Sequence, residues 1–220
     1  MGQHFFAMIS RMRYINRWGL MRNTLPENIS EHSLQVAMIA HALAVIRNRY
    51  YAEGRPTVEP GQVAILAMYH DAGEILTGDL PTPVKYFNPA IRDAYQAVES
   101  VATARLLSML PPDLAGDFRP ILEPDRQNPV IDDSMRLIKA ADRISAYLKC
   151  VEEGKAGNRE FQNAGQSTLA KIESLDLPEV RHFMRDFVPS FSLTLDELDN
   201  DTDPAASPAG LFSDLPERHL

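Results

Sequence analysis

One cysteine, Cys150, is all the thiol chemistry in a chain of 220 residues. It cannot close an internal disulfide, so a stapled secreted scaffold is excluded and a reducing compartment fits. Basic residues are also short: 22 Lys and Arg stand against 30 Asp and Glu, a formal charge of −8. A protein that grips a nucleic-acid polymer along its phosphates needs clustered Lys and Arg, so that class is set aside. A small anionic substrate needs only a local positive group or a bound metal, and stays open. No run approaches the roughly 18–20 uninterrupted apolar residues of a membrane span. Residues 1–18 put their arginines after the apolar residues rather than before them, unlike a signal peptide. A soluble cytoplasmic protein is the expectation. Alternating strand patterns are scarce too; the best, Phe191–Leu195, is short and isolated.

What the chain does have is a core and long helical stretches. Hydrophobic residues make up 45% of it, enough to exclude wholesale disorder. Its 16 prolines leave residues 27–55, 61–80, 90–110 and 130–177 free, and helices can run there. Spacings of three and four predict a face of Leu34, Met38, Ala42 and Val45, and another of Val63, Leu66, Ala67 and His70. They also predict stripes of Ile91, Ala94, Val98, Val101, Leu106 and Leu110, and of Leu137, Ala141, Ile144, Leu148 and Val151. Asn28 with Glu31 reads as a capping box. The pattern predicts one all-α domain over residues 1–198 and an acidic, flexible C-terminal segment over 199–220. Residues 196–220 hold seven acids against one base, Arg218.

Polar residues intrude on three of these apolar helices. His70 and Asp71 follow Ala67, Met68 and Tyr69, with Glu74 three residues after Asp71. His32 starts one strongly apolar helix, and Asp142 sits inside another. Burying such groups costs free energy unless something pairs with their charge, and a divalent cation is the simplest partner. Helical bundles build metal sites from side chains that converge in this way. Two imidazoles and two carboxylates suit a first-row divalent metal rather than a thiolate-seeking one.

The pattern His32, His70-Asp71, Asp142 resembles the signature of HD-domain metal-dependent phosphohydrolases, which implies an HD-domain helical bundle. Longer strings are similar to the bacterial 5′-deoxynucleotidase family over about residues 4–198. They are Ile15–Trp18, Leu20–Asn23, Ser30–Met38, Met68–Ala72, Leu76–Phe87 and Ala146–Cys150. The resemblance implies hydrolysis of deoxyribonucleoside 5′-monophosphates to deoxyribonucleoside and phosphate, selective against ribonucleotides and broad in base. It implies one divalent metal ion per chain, Co²⁺ or Mn²⁺, held by His32, His70, Asp71 and Asp142. It implies a metal-activated water attacking phosphorus, with Glu74 positioning or deprotonating it. Arg17 would hold the phosphate, and Trp18 would pack on the sugar. Asp79, Leu80, Pro81 and Thr82 would line the nucleotide site, beside the substrate-facing His32, Asp71 and Asp142. Asp79 would either contact the sugar hydroxyl or assist the leaving oxygen. A homodimer is implied as well. Gly73 and Arg143 depart from some relatives without replacing a motif residue.

The chemistry fits these residue types. A phosphate monoester is a dianion that repels an anionic nucleophile, and a divalent cation offsets that charge. Arg offers a bidentate fork that Lys lacks. A rigid indole against C2′ leaves a 2′-hydroxyl neither space nor partner. No histidine lies between His70 and His182, which predicts a mononuclear site. His4, His41, His182 and His219 read as surface or structural residues, and Cys150 as a small buried hydrophobe. Two other readings stay open at this level. One is another HD phosphohydrolase acting on nucleoside triphosphates; the other is a catalytically silent nucleotide-binding HD domain.

Overall fold

A computed structural model describes residues 3–85 and 87–199 as a succession of helices. They are α1 (Phe5–Ile9), α2 (Ile29–Tyr50), α3 (Pro60–Met68), α4 (Glu74–Thr77), α5 (Thr82–Lys85) and α6 (Pro89–Leu107). α7 (Pro112–Leu122), α8 (Pro129–Lys155), α9 (Gln162–Glu173), α10 (Pro178–Asp186) and α11 (Leu195–Asp199) follow. The fold is all-α, as the sequence predicts. The acidic segment from 200 onward, with His219, lies outside the described residues.

Local chemistry explains where these helices start. Asn28, Glu59, Asn88 and Asn128 each accept a hydrogen bond from an amide in the first turn. Asn28 and Glu31 form the capping box in both directions. Pro60, Pro89, Pro112, Pro129 and Pro178 take the first helical position, where no N–H is needed.

α2 and α8 form the centre. α2 packs on α3 and α8, α9 covers α8, and α10 closes on α2. The interior holds Val36, Ala40, Leu43, Val63, Leu137, Ile144, Leu148 and Phe183. α2 is long and apolar enough to cross a membrane by composition, yet more than half of that stretch is buried here. Its buried side also carries His32 and Arg47, and Arg47 pairs with Asp133.

Four details depart from the sequence patterns. The α2 face predicted to point inward points outward: Leu34, Met38 and Val45 are exposed, and Val36, Ala37, Ala40 and Ala44 are buried. α2 is apolar nearly all round, so periodicity could not choose a face. The alanines let α3 and α8 approach closely, and His32 and Ser33 turn in with them. On α6, Val98 and Val101 are likewise exposed, while Leu106 and Leu110 are buried. α3 stops at Met68, so His70 and Asp71 lie in a turn rather than inside a helix. The predicted strand at Phe191–Leu195 is the end of a 3₁₀ turn (Val188–Ser192) running toward α11. No strand occurs among the described residues, only an isolated bridge between Asn16 and Asn28.

Candidate active site

Three elements deliver the polar cluster. α2 supplies His32 from its first turn, the segment after α3 supplies His70 and Asp71, and α8 supplies Asp142. One ligand atom each from His32, His70 and Asp142 lie within 4.8 Å of one another. Asp71 joins them, with Oδ2 3.1 Å from His70 Nε2 and 3.6 Å from His32 Nε2. His32 Nε2 lies 3.1 Å from Asp142 Oδ1. His32, His70 and Asp142 form the tight group, and Asp71 flanks it through the two imidazoles.

Hydrogen bonds on the outer side of each ring fix which nitrogen faces the cluster. His70 Nδ1–H donates to the Ala67 carbonyl at 2.7 Å. The Ser145 hydroxyl donates to Gln35 Oε1 at 2.6 Å, so its oxygen is left to accept from His32 Nδ1–H at 3.1 Å. With both Nδ1 atoms committed outward, both Nε2 atoms are buried and face the carboxylates. In the neutral ring an Nε2 lone pair would repel the carboxylate it faces, so each such pair needs positive charge between its members, a proton or a cation. The donor set of two imidazoles and two carboxylates fits a divalent metal.

The electrostatics agree. Burial opposes charge on His70, but the charge and hydrogen bond of Asp71 outweigh it and lift the ring to about 9. Burial likewise disfavours charge on Asp71, yet His70, His32 and Arg17 hold its carboxyl well below the usual range. Asp142 is lowered too, its burial overcome by the hydrogen bond and charge of His32. The cluster thus draws in positive charge.

Glu74 opens α4 and is buried, with Oε2 unpartnered. Burial first, and then the charges of Asp71 and Asp79, push its carboxyl up to about 9. Gly78, at φ 75°, turns the chain out of α4 into Asp79. Burial raises Asp79, while Arg17 and the Trp18 amide favour its ionised form. That brings Asp79 beside Trp18. Leu80 and Pro81 follow half-buried; Thr82 opens α5, and its side chain lies outside the described residues.

Arg17 and Trp18 come from the loop before α2. Arg17 Nη1 reaches to 3.6 Å from Asp71 Oδ2. Trp18 is the one non-glycine residue with positive φ among the described residues, at 60°. A bulky residue there is strained by about 1–3 kcal/mol and persists only where its surroundings over-determine it. Its ring lies 5.2 Å from that of Phe161, tilted by 60°.

His4, His41, His182 and Cys150 lie as the sequence predicts, His4 at the surface. His41 is exposed, and His182 packs against Tyr50, Tyr51 and Asp186. Cys150 is buried, and burial pushes its thiol up to about 12.

Several contributors escape a sequence reading. Glu27 Oε2 accepts from Arg17 Nε at 3.0 Å and from Trp18 Nε1 at 2.7 Å. Ser145 and Gln35 orient His32 as described above. Away from the site, Glu153 on α8 accepts from Thr24, Leu25, Asn158 and Lys149 and holds residues 24–25 against α8. A lone acidic or hydroxyl residue carries no spacing signal. The available hint was a Lys149–Glu153 pair at a spacing of four beside the apolar stripe of α8.

Comparison with known proteins matches this arrangement. Residues 4–191 match the model of the YfbR-like 5′-deoxynucleotidase family. A 5′-deoxynucleotidase of Cronobacter sakazakii is 52% identical over 202 residues, covering 90% of this chain and 97% of the relative. That of Vibrio cholerae is 51% identical, covering 89% and 97%. Among solved structures, an HD-domain phosphohydrolase from Listeria innocua superposes with a TM-score of 0.72 at 23% identity, covering 87% of this chain and 90% of that one. The cyanophage S-2L HD phosphohydrolase DatZ, bound to dA and one catalytic Zn²⁺ ion, superposes at 0.59 with 22% identity, covering 86% and 96%. The helices, the cluster of His32, His70, Asp71 and Asp142 and the extent of the sequence match agree: on an HD-domain fold, the chain belongs to the YfbR-like 5′-deoxynucleotidase family.

Proposed function

We propose that the protein is a metal-dependent 5′-deoxynucleotidase, hydrolysing deoxyribonucleoside 5′-monophosphates with little regard to the base. The observation that carries this is the contact of Arg17 with the ligand cluster, together with Trp18 alongside. A phosphate-sized anion held by Arg17 lies next to the cation site, and the sugar attached to it meets the indole. The names and identities of the curated relatives support the same activity.

His32, His70, Asp71 and Asp142 would hold one first-row divalent ion by their mixed N/O chemistry, with Co²⁺ or Mn²⁺ the choice that the family resemblance implies. When bound, such an ion neutralises phosphate charge and makes water a better nucleophile. Arg17 orients the phosphate through its guanidinium fork. Glu74 would receive the proton of the attacking water in its ionised form, which a divalent cation at Asp71 would favour by offsetting the charge that raises its carboxyl. Water oxygen bonds to phosphorus, and the bond from phosphorus to the 5′ oxygen breaks. Asp79 serves the sugar hydroxyl or the leaving oxygen; Asp79→Asn distinguishes these by raising KM or lowering kcat. Leu80, Pro81 and Thr82 continue the nucleotide wall. Trp18 bars the 2′-hydroxyl. The catalytic unit ends by residue 198, and 199–220 lie outside it. The cytoplasm is the proposed location.

The same reading makes the protein a homodimer, and α2 supports it. The exposed stripe of α2 runs Glu31, Leu34, Met38, His41, Val45, Arg49, with Ile65 and Met68 of α3 beside it. Opposite charges at the two ends suit antiparallel pairing of two copies about a two-fold axis, Glu31 against Arg49.

Phosphate release from dAMP, AMP and dATP, with and without Mn²⁺ or Co²⁺, tests the activity. The expected result is metal-dependent release from dAMP alone, with AMP admitted by Trp18→Ala. Preference for dATP, or no release under any metal, overturns the reading. An unchanged deoxy-to-ribo ratio in Trp18→Ala removes the role of the indole.

A further inference from the structure

Glu27 is neither a predicted ligand nor part of any motif read above, yet its side chain lies at the join of two functions. One oxygen, Oε2, accepts both from Arg17 Nε (3.0 Å) and from the Trp18 indole Nε1 (2.7 Å). Its other oxygen lies 3.9 Å from His32 Nδ1. Arg17 and Glu27 are both largely buried, so their bond is a desolvated charge pair rather than a surface contact.

The backbone fixes this geometry from outside. Arg17 N–H donates to the Glu27 carbonyl at 2.9 Å, and Ile29 N–H donates to the Ile15 carbonyl at 3.0 Å. With the bridge between Asn16 and Asn28, residues 15–17 lie in register against 27–29. Residue 29 begins α2, so the Arg17–Trp18 pair is referenced to the helix that carries His32.

The atoms used matter. Glu27 takes the Nε edge of Arg17, which leaves the terminal nitrogens on the side of the cluster, Nη1 3.6 Å from Asp71 Oδ2. The indole is held by its only donor, while its backbone sits in the strained left-handed region. A ring that must reject one hydroxyl has to be fixed to within a few tenths of an ångström, and strain alone would release it.

We propose that Glu27 is a positioning residue for substrate selectivity: by bonding Arg17 and Trp18 through one oxygen, it makes phosphate capture and sugar rejection a single rigid unit. This rests on the deoxynucleotidase reading for its substrate. It predicts that the two properties cannot be weakened separately at this position.

The test compares wild type with Glu27→Gln, Glu27→Ala and, as a loop control, Glu153→Gln. Glu153 holds Thr24 and Leu25 of the same loop but bonds neither Arg17 nor Trp18. Trp18 is the only tryptophan in the chain, so its fluorescence reports its own setting. Glu27→Ala is expected to shift the emission to the red and expose it to acrylamide quenching. Glu27→Gln keeps the shape and one acceptor and covers the case in which the alanine variant fails to fold. In both, KM for dAMP should rise and the dAMP-to-AMP ratio of kcat/KM should fall, each by about tenfold or more, the size of a charge-assisted bond lost. Glu153→Gln should lower the melting temperature with the ratio kept. Unchanged emission and ratio in the Glu27 variants, with only a lower melting temperature, would overturn the proposal. If wild type releases no phosphate from dAMP, the deoxynucleotidase reading fails by itself, and the fluorescence arm still decides whether Glu27 fixes Trp18.

Discussion

Ser145 on α8 and His32 on α2 meet at 3.1 Å, hydroxyl oxygen to Nδ1, and this contact sets which nitrogen of His32 faces the cluster. The hydroxyl proton is committed to Gln35, so the ring must donate. Removing the partner of a metal-binding histidine typically lowers affinity by about 10–100-fold. Ser145→Ala should therefore weaken divalent-metal binding by that factor, read by competition with a chromogenic chelator, and leave the helical circular dichroism intact. An unchanged affinity would mean that Ser145 does not orient the ring.

Glu74→Gln separates metal binding from catalysis. Glutamine keeps the volume and polarity of a buried side chain whose oxygen has no partner, but cannot take a proton. A positioned general base contributes about 10²–10⁴-fold. The variant should lose that much in kcat while elemental analysis still finds one metal per chain. Full activity would remove Glu74 from the chemistry. Two metals per chain in wild type would instead overturn the mononuclear site.

The polar cluster was legible because each member is a polar residue in an apolar helix pattern, and the cost of burying it announces a partner. α8 was legible for a related reason: Leu137, Ile144 and Leu148 share a stripe whose opposite side is polar, so only one face can be buried. α2 failed the same test because Leu34, Met38, Val36 and Ala40 surround it; which side faces the core depends on α3 and α8, not on α2. His70 was placed in a helix because its neighbours are helix-compatible. The chain leaves the helix there because the Ala67 carbonyl is taken by the His70 amide and ring. Glu27, Ser145 and Glu153 act across distances of nine to 129 residues, and no local pattern encodes such a pairing.

Glu153 gives the fold a specific acid sensitivity. Burial alone would raise its carboxyl, but Lys149, Thr24 and Asn158 hold it far below its ordinary value of 4.5. A depressed folded-state pKa stabilises the protein above that value and loses the contribution as pH falls below it. The acid limb of the stability curve should begin below pH 4.5 and be shallower in Glu153→Gln, measured by urea denaturation between about pH 3 and 7. Glu153→Ala leaves Lys149 buried without its partner and should cost about 3–5 kcal/mol at neutral pH. A parallel acid limb in wild type and Glu153→Gln would show that other carboxylates control it.

The exposed stripe of α2 makes an assembly prediction with its own control. From Glu31 to Arg49 it spans about 27 Å at 1.5 Å per residue. Paired with a second copy and flanked by Ile65 and Met68, it offers the core of an interface of the usual ~800 Å² per partner. Light scattering at micromolar concentration should give the mass of a dimer. Met38→Asp places an unpaired charge at the centre and should raise the dissociation constant by about 100-fold or more. Glu31→Arg should weaken the dimer through repulsion of Arg49, and Glu31→Arg with Arg49→Glu should restore it. That restoration is the decisive arm, because a fold merely damaged by one substitution would not be repaired by the second. A wild-type monomer, or a double variant no tighter than the single, would place any contact between copies elsewhere on the surface.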